Sequence, residues 1–346
     1  GHVAVVDQRT MRVLRTLSLA PFPTDGRPDE SRHMRVTAVA VTPDGAAVVA
    51  GNRSGVMRMW SAADGKLLAT VTRGPLEQMA ASPDGRFLAT VESVVDPRSP
   101  GALAPDWVDL RSTTVRLWSL PGLVEVAHVD VSFPDGSGRY APKAKMIHFS
   151  PDSSMLVVPY LDDRLSVFQT DGLRPLSTIE TEDGPGFISA VFSPDSTLLL
   201  GRRTDGREIR RLDPRTGKQV GPPFPGTPGN IYGDMGFGPG GTWLFSRAPD
   251  GLSAYDARTG QQLLDRVSLV PGGLDVLFDG GEGAMTIVGD GHLFASTAAG
   301  VARLDIDPGR WHTEACRIAG RTLTREEWDR LLPAKPYAPA CTEARG

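Results

Sequence analysis

Between residues 36 and 71 the chain reads VTAVAVTPDGAAVVAGNRSGVMRMWSAADGKLLATV, and no other stretch restricts the fold as strongly. Its apolar runs, 36–41, 46–50, 56–60 and 66–71, are each five or six residues long. That is strand length, too short for helices. The runs are cut by TPDG at 42–45, NRSG at 52–55 and AADG at 62–65. Proline presets φ, aspartate bonds the backbone just after it, and glycine accepts φ > 0, so each break has turn chemistry. Four strands joined by tight turns form an antiparallel meander, and one meander of this size cannot bury both faces.

Copies of the unit solve that problem. The first turn recurs as SPDG at 82–85, SPDS at 150–153, SPDS at 193–196, GPGG at 238–241 and, more faintly, VGDG at 288–291. The third run recurs as VMRMW (56–60), VRLW (115–118), LSVF (165–168), IRRL (209–212), LSAY (252–255) and VARL (301–304). Pro43 to Trp60 and Pro151 to Phe168 are both 17 residues apart; the second copy, Pro83 to Trp118, spans 35. Stacked meanders at such a period predict an all-β chain, a β-propeller. Val3–Val6 reads as one more third strand and 11–19 as a fourth. The expected count is therefore seven blades, with six as the alternative, because the run 274–278 offers an additional strand. The first two strands of that N-terminal repeat would lie upstream of Gly1, so a longer parent protein is expected. The N-terminal segment is expected to pack beside the last repeat.

Phe149-Ser150-Pro151-Asp152, Phe192-Ser193-Pro194-Asp195 and Val115-Arg116-Leu117-Trp118-Ser119 resemble the repeat of the WD-repeat β-propeller family, and the resemblance covers roughly residues 1–307. It implies a protein-interaction scaffold. The family's Gly-His pair is missing from every repeat, and the Trp-Asp end survives only as Trp60-Ser61, Trp118-Ser119, Phe168-Gln169, Leu212-Asp213, Tyr255-Asp256 and Leu304-Asp305. The family's Asp–His–Ser/Thr–Trp network therefore cannot form in full, and packing and turn chemistry must hold the blades.

Residues 308–346 change period. Trp311, Ala315 and Ile318 fall on one helix face, with Gly320 at its end. Thr324 and Glu327 form a capping box ahead of Trp328, Leu331 and Leu332. Two helices this short are expected to dock on the propeller. ACRIAGRTLTREEW at 315–328 with YAPAC at 337–341 resembles the closing segment of WD-repeat proteins from actinobacteria and related bacteria. That resemblance implies a STAND-type NTPase, a DNA-binding activator or a kinase upstream. Cys316 and Cys341, the two cysteines, flank this hairpin and are expected to lie close; their oxidation stays open.

Composition narrows the function. With a net charge of −4 over 346 residues, the chain has no basic footprint for nucleic acid. No run of 18 apolar residues offers a membrane span. The start lacks a signal-peptide pattern, and a cytoplasmic location is expected. There is no P-loop, no His-Glu-x-x-His, no Gly-x-Ser-x-Gly and no Gly-x-Gly-x-x-Gly after a strand. The six histidines are scattered. No cofactor or metal is expected, and the chain reads as non-catalytic; the alternative is an enzyme or small-ligand binder using the central channel.

In a four-stranded meander, connections after strands one and three leave at one end, and those after strands two and four at the other. The long ones, 20–35, 92–113, 132–143, 221–230 and 270–283, all follow a second or fourth strand. Loops on a rigid scaffold carry binding. His33, Arg98, Trp107, Arg139 and Tyr140 are the candidate binding residues there, since Trp, Tyr and Arg dominate interface energies. The expected partner is another protein or an upstream domain of the same chain.

Overall fold

Successive side chains of a strand point to opposite faces, so unbroken runs of valine, alanine and leucine make both faces apolar. In the computed structural model, strands of this kind assemble into consecutive antiparallel meanders. The structure describes all residues except 20–34, 96–109, 133–145, 161–163, 181–185, 204, 227–233, 249–250, 269–284, 290, 298–299, 332–335, 339–340 and 342–346. It divides into two compact units, Gly1–Gly233 and Asp234–Gly346.

The first unit opens with β1 (His2–Val6) and β2 (Val13–Ser18), which pair with each other in a two-stranded sheet. Blade one comprises β3 (Val36–Val41), β4 (Ala47–Asn52), β5 (Val56–Ser61) and β6 (Leu67–Thr72). Blade two comprises β7 (Leu76–Ala81), β8 (Phe87–Val95), β9 (Leu110–Ser119) and β10 (Val124–Ser132). Blade three comprises β11 (His148–Phe149), β12 (Met155–Pro159), β13 (Arg164–Gln169) and β14 (Arg174–Glu180). Blade four comprises β15 (Phe187–Phe192), β16 (Leu199–Arg203), β17 (Glu208–Leu212) and β18 (Phe224–Pro225).

Alternation along these strands sends successive residues to opposite blade faces. Ala38, Ala40, Val49 and Met59 of blade one meet Leu76, Met79 and Leu88 of blade two. Ala89, Val91 and Leu117 of blade two meet Ile147, Phe149 and Leu156 of blade three. Val157 and Val167 of blade three meet Phe187, Phe192 and Leu199 of blade four. Each such side chain, fully buried, contributes about 1.5–3 kcal/mol. The opposite face of blade one, through Val48, Ala50, Val56 and Trp60, receives Leu17, Leu19, Val3 and Val5 of the N-terminal hairpin.

In the second unit, blade five holds β19 (Met235–Phe237), β20 (Trp243–Ala248), β21 (Gly251–Asp256) and β22 (Gln262–Val267). Blade six holds three described strands, β23 (Met285–Val288), β24 (His292–Thr297) and β25 (Gly300–Asp305). Two helices follow, α1 (Pro308–Ala319) and α2 (Arg325–Leu331). Asp307 caps α1 by accepting from Gly309 N at 2.8 Å, and Gly320 ends it at φ 68°. The capping box forms: Thr324 N donates to Glu327 Oε2 at 2.9 Å and Glu327 N to Thr324 Oγ1 at 3.2 Å.

Two expectations change. The count is six blades rather than seven: the Val3–Val6 signature builds a two-stranded hairpin, not a full sheet. The run 274–278 lies outside the described residues. The N-terminal strands form their own ladder, one face of which rests on blade one. The apolar stripe expected to seat α1 does not bury, since Ile318 is 72% exposed. Trp311 alone of that stripe docks, edge-on to Trp243 at 5.2 Å, with its Nε1 donating to Asp305 O at 2.6 Å. The question left open at Cys316 and Cys341 resolves as a disulfide, with Cα atoms 5.4 Å apart.

Candidate interaction site

His33, Arg98, Trp107, Arg139 and Tyr140 all lie outside the described residues. The strands that launch their segments are described. Residues 20–34 follow β2, 96–109 follow β8, and 133–145 follow β10. Alternating direction puts the C-terminal ends of the second and fourth strands at the same end of a sheet.

The other end is built from turns that satisfy themselves. Asp44 Oδ1 accepts from Thr42 Oγ1 at 2.6 Å and Ala46 N at 3.0 Å. Asp84 accepts from Ser82 Oγ at 2.6 Å, Asp152 from Ser150 Oγ and Asp195 from Ser193 Oγ, both at 2.5 Å. The Ser193 and Thr42 hydroxyls, with neighbouring backbone amides, hold Asp195 and Asp44 below the usual carboxylate range. At Asp152 burial pushes the carboxyl up, but the bonds from Ser150 and Ser154 outweigh it and the net shift is down. Neighbouring turns are also joined. Asp84 N donates to Ser153 Oγ at 3.0 Å, and Asp152 N to Ser196 Oγ at 3.1 Å. This end is saturated with internal bonds.

At the far ends of the second strands, apolar runs finish on buried polar side chains: Asn52, Glu92, Tyr160 and Arg203 are each under 7% exposed. Asn52 Oδ1 closes its own turn, accepting from Ser54 N at 3.1 Å and Val56 N at 3.2 Å. Glu92 ties the link from blade one to blade two. Its Oε2 accepts from Gly74 N at 3.1 Å and its Oε1 from Arg116 Nε at 3.0 Å. Arg116 also donates to Glu125 Oε1 at 2.9 Å, which His128 Nδ1 approaches at 2.9 Å. Burial pushes the Glu92 carboxyl up, more than the Arg116 guanidinium lowers it. Glu125 moves the other way: burial raises it, but Arg116 and its hydrogen bonds prevail. The pocket between Arg73, Leu76, Thr90, Glu92 and Trp118 has room for about one water. These groups fix blade against blade and leave no room there for a larger ligand.

Sequence reasoning passed over this polar row. The signal was a charged, amide or phenolic residue following the apolar run of the second strand in successive repeats. It also set aside the family's polar network, and one piece of that network does form: Trp118 Nε1 donates to Thr90 Oγ1 at 2.9 Å, both buried.

A family model described as "WD domain, G-beta repeat" matches residues 30–61, which include most of blade one. No curated protein matches the sequence. Among solved structures, the chain is similar to Kuenenia stuttgartiensis hydrazine synthase, with a TM-score of 0.60 and 18% identity over 86% of this chain and 82% of that one. It is also similar to the β-propeller domain of Myceliophteria thermophila Cps50 (Swd1), with a TM-score of 0.57 and 14% identity over 89% of this chain and 91% of that one. At these identities the likeness shows a fold, the β-propeller, of WD-repeat type where the family model matches.

Proposed function

We propose that the chain is a non-catalytic interaction module, a propeller that holds another protein or another domain of its own chain. One observation carries the reading: the turns after first strands are closed by their own carboxylates, whereas the long segments follow second and fourth strands. Recognition is then concentrated at the end the long segments leave from. A WD-type repeat at 30–61 fits that use. The net charge of −4 disfavours nucleic acid as the partner. Among the described residues no helix is long and apolar enough to cross a membrane.

In this reading an upstream STAND-type NTPase, DNA-binding activator or kinase would be regulated by population shift, partner binding favouring one arrangement of the whole protein. The reading keeps a cytoplasmic address, against which the Cys316–Cys341 bridge stands. The competing reading, an enzyme or small-ligand binder along the inner strands, draws on the similarity to hydrazine synthase, which at 18% identity carries the fold alone. Trp107→Ala and Tyr140→Ala are expected to weaken partner recovery at least tenfold in pull-downs while leaving the thermal midpoint in place. Equal recovery by wild type and both variants removes the long-segment end as the binding face.

A further inference from the structure

The C-terminal tail carries two sets of contacts. The first reaches back to the sheets from the start of α1. Arg310 Nη2 donates to Gly291 O at 3.1 Å, Arg310 Nε pairs with Asp305, and Trp311 Nε1 donates to Asp305 O. The second lies within residues 321–337. Arg321 holds both oxygens of Glu327 at 2.7 Å, Tyr337 Oη donates to Leu323 O at 3.1 Å, and the Arg325 guanidinium sits 4.7 Å from the Tyr337 ring centre. The Cys316–Cys341 bridge joins the second set to α1.

The two sulfurs have different surroundings. Both cysteines are half-buried, within reach of a thiol, and exposed bridges are the exchangeable ones. Cys316 Sγ lies 3.8 Å from Nε2 of His312, one helical turn earlier. A protonated imidazole there stabilises a thiolate on Cys316. That support has to come from His312. The end of α1 at Gly320 places Cys316 in the half of the helix that disfavours negative charge. The adjacent cation, Arg317, is held by Glu314 at 2.7 and 2.5 Å.

We propose that the Cys316–Cys341 bridge is a thiol–disulfide exchange site, closed at rest and opened by a dithiol that attacks Cys341 and so frees residues 320–341 from α1. A thiolate of the dithiol bonds to Cys341 Sγ. The Cys316–Cys341 bond breaks, and its electron pair leaves on Cys316 Sγ beside His312. The second thiol of the reagent, deprotonated, then attacks the reagent's own sulfur in the mixed disulfide, and Cys341 departs as a thiolate. Two electrons and two protons pass to the cysteines, and the dithiol becomes a disulfide. Arg310 and Trp311 keep α1 on the sheets throughout, so the change is confined to the segment beyond it.

The test uses the intact chain, with dithiothreitol as the dithiol and free thiols counted by alkylation and mass. The bridge is expected to open at least about tenfold faster than the protein unfolds in the same buffer, with the β-sheet circular dichroism unchanged and new proteolysis confined to 320–341. Glutathione, a monothiol, traps the first step after an acid quench, and its adduct is expected on Cys341. His312→Ala is expected to slow opening about threefold and to spread the adduct over both cysteines; His312→Lys, which returns a cation, is expected to restore rate and preference. A bridge that opens only as the sheets unfold, a wild-type adduct on Cys316, an unchanged rate in His312→Ala, or no restoration by lysine overturns the proposal. The wild-type measurements decide even if a variant fails to fold. The interaction-module reading stands whichever way they fall.

Discussion

Ser153 and Ser196 both sit at φ 61°, where the first two turns carry Gly45 and Gly85. A non-glycine residue there costs about 1–2 kcal/mol. The side chain offsets that cost by reaching the preceding blade's turn, where Ser153 Oγ accepts from Asp84 N. Ser153→Ala keeps the strain and loses the bond, so it is expected to destabilise by about 1–2 kcal/mol. Ser153→Gly loses the same bond but relieves the strain, and is expected to lie within about 1 kcal/mol of wild type. Urea denaturation of the pair checks this; an alanine variant as stable as the glycine one would show that the inter-turn bond contributes nothing. The turn itself was legible, because Ser, Pro and Asp act within four residues. The bond between turns was not, because its partners are 69 residues apart and only blade stacking brings them together. Glu92 was hidden for a similar reason: its meaning depends on Gly74, in the link from blade one 18 residues back, and on Arg116, on the neighbouring strand 24 residues on.

Elements were read better than residues. Third strands end on recurring Trp, Phe, Tyr or Leu, and all six signatures became third strands of their sheets. Both helices were legible because capping is local. Their seating was not, since periodicity reports which face is apolar and not whether a surface awaits it. The tail is anchored to the sheets at its start, by Trp311 against Trp243 and by Arg310 on Asp305 and Gly291 O, and beyond that it is tied to itself, by Tyr337 against Trp328 at 5.7 Å and by the disulfide across 25 residues. Closing a loop of that length contributes about 3 kcal/mol in the chain-entropy account. Cys341→Ser is expected to speed proteolysis within 320–341 while leaving the β-sheet circular dichroism unchanged. Protein alkylated at lysis and then denatured is expected to show no free thiol. Two free thiols would mean that the bridge is open where the protein works, as a reducing cytoplasm requires.

For the molecule as a whole, repetition was legible and closure was not. A third-strand signature at Val3–Val6 looks the same whether four strands surround it or two, so counting signatures overcounts blades. What separates a blade from a half-blade is the number of faces that are covered. Blade three is packed on both sides, whereas the hairpin rests one face on blade one and leaves Val13 and Leu14 60% exposed. In stacked repeats stability is a sum of intrinsic and nearest-neighbour contributions, so a two-stranded unit has less to lose on opening than a four-stranded blade packed on both faces. Native-state amide exchange is expected to grade through the first unit, with β1 and β2 exchanging at least tenfold faster than β12 and β13 and blade one in between. Uniform protection from β1 to β13 would mean that the hairpin draws stability from something other than its contact with blade one.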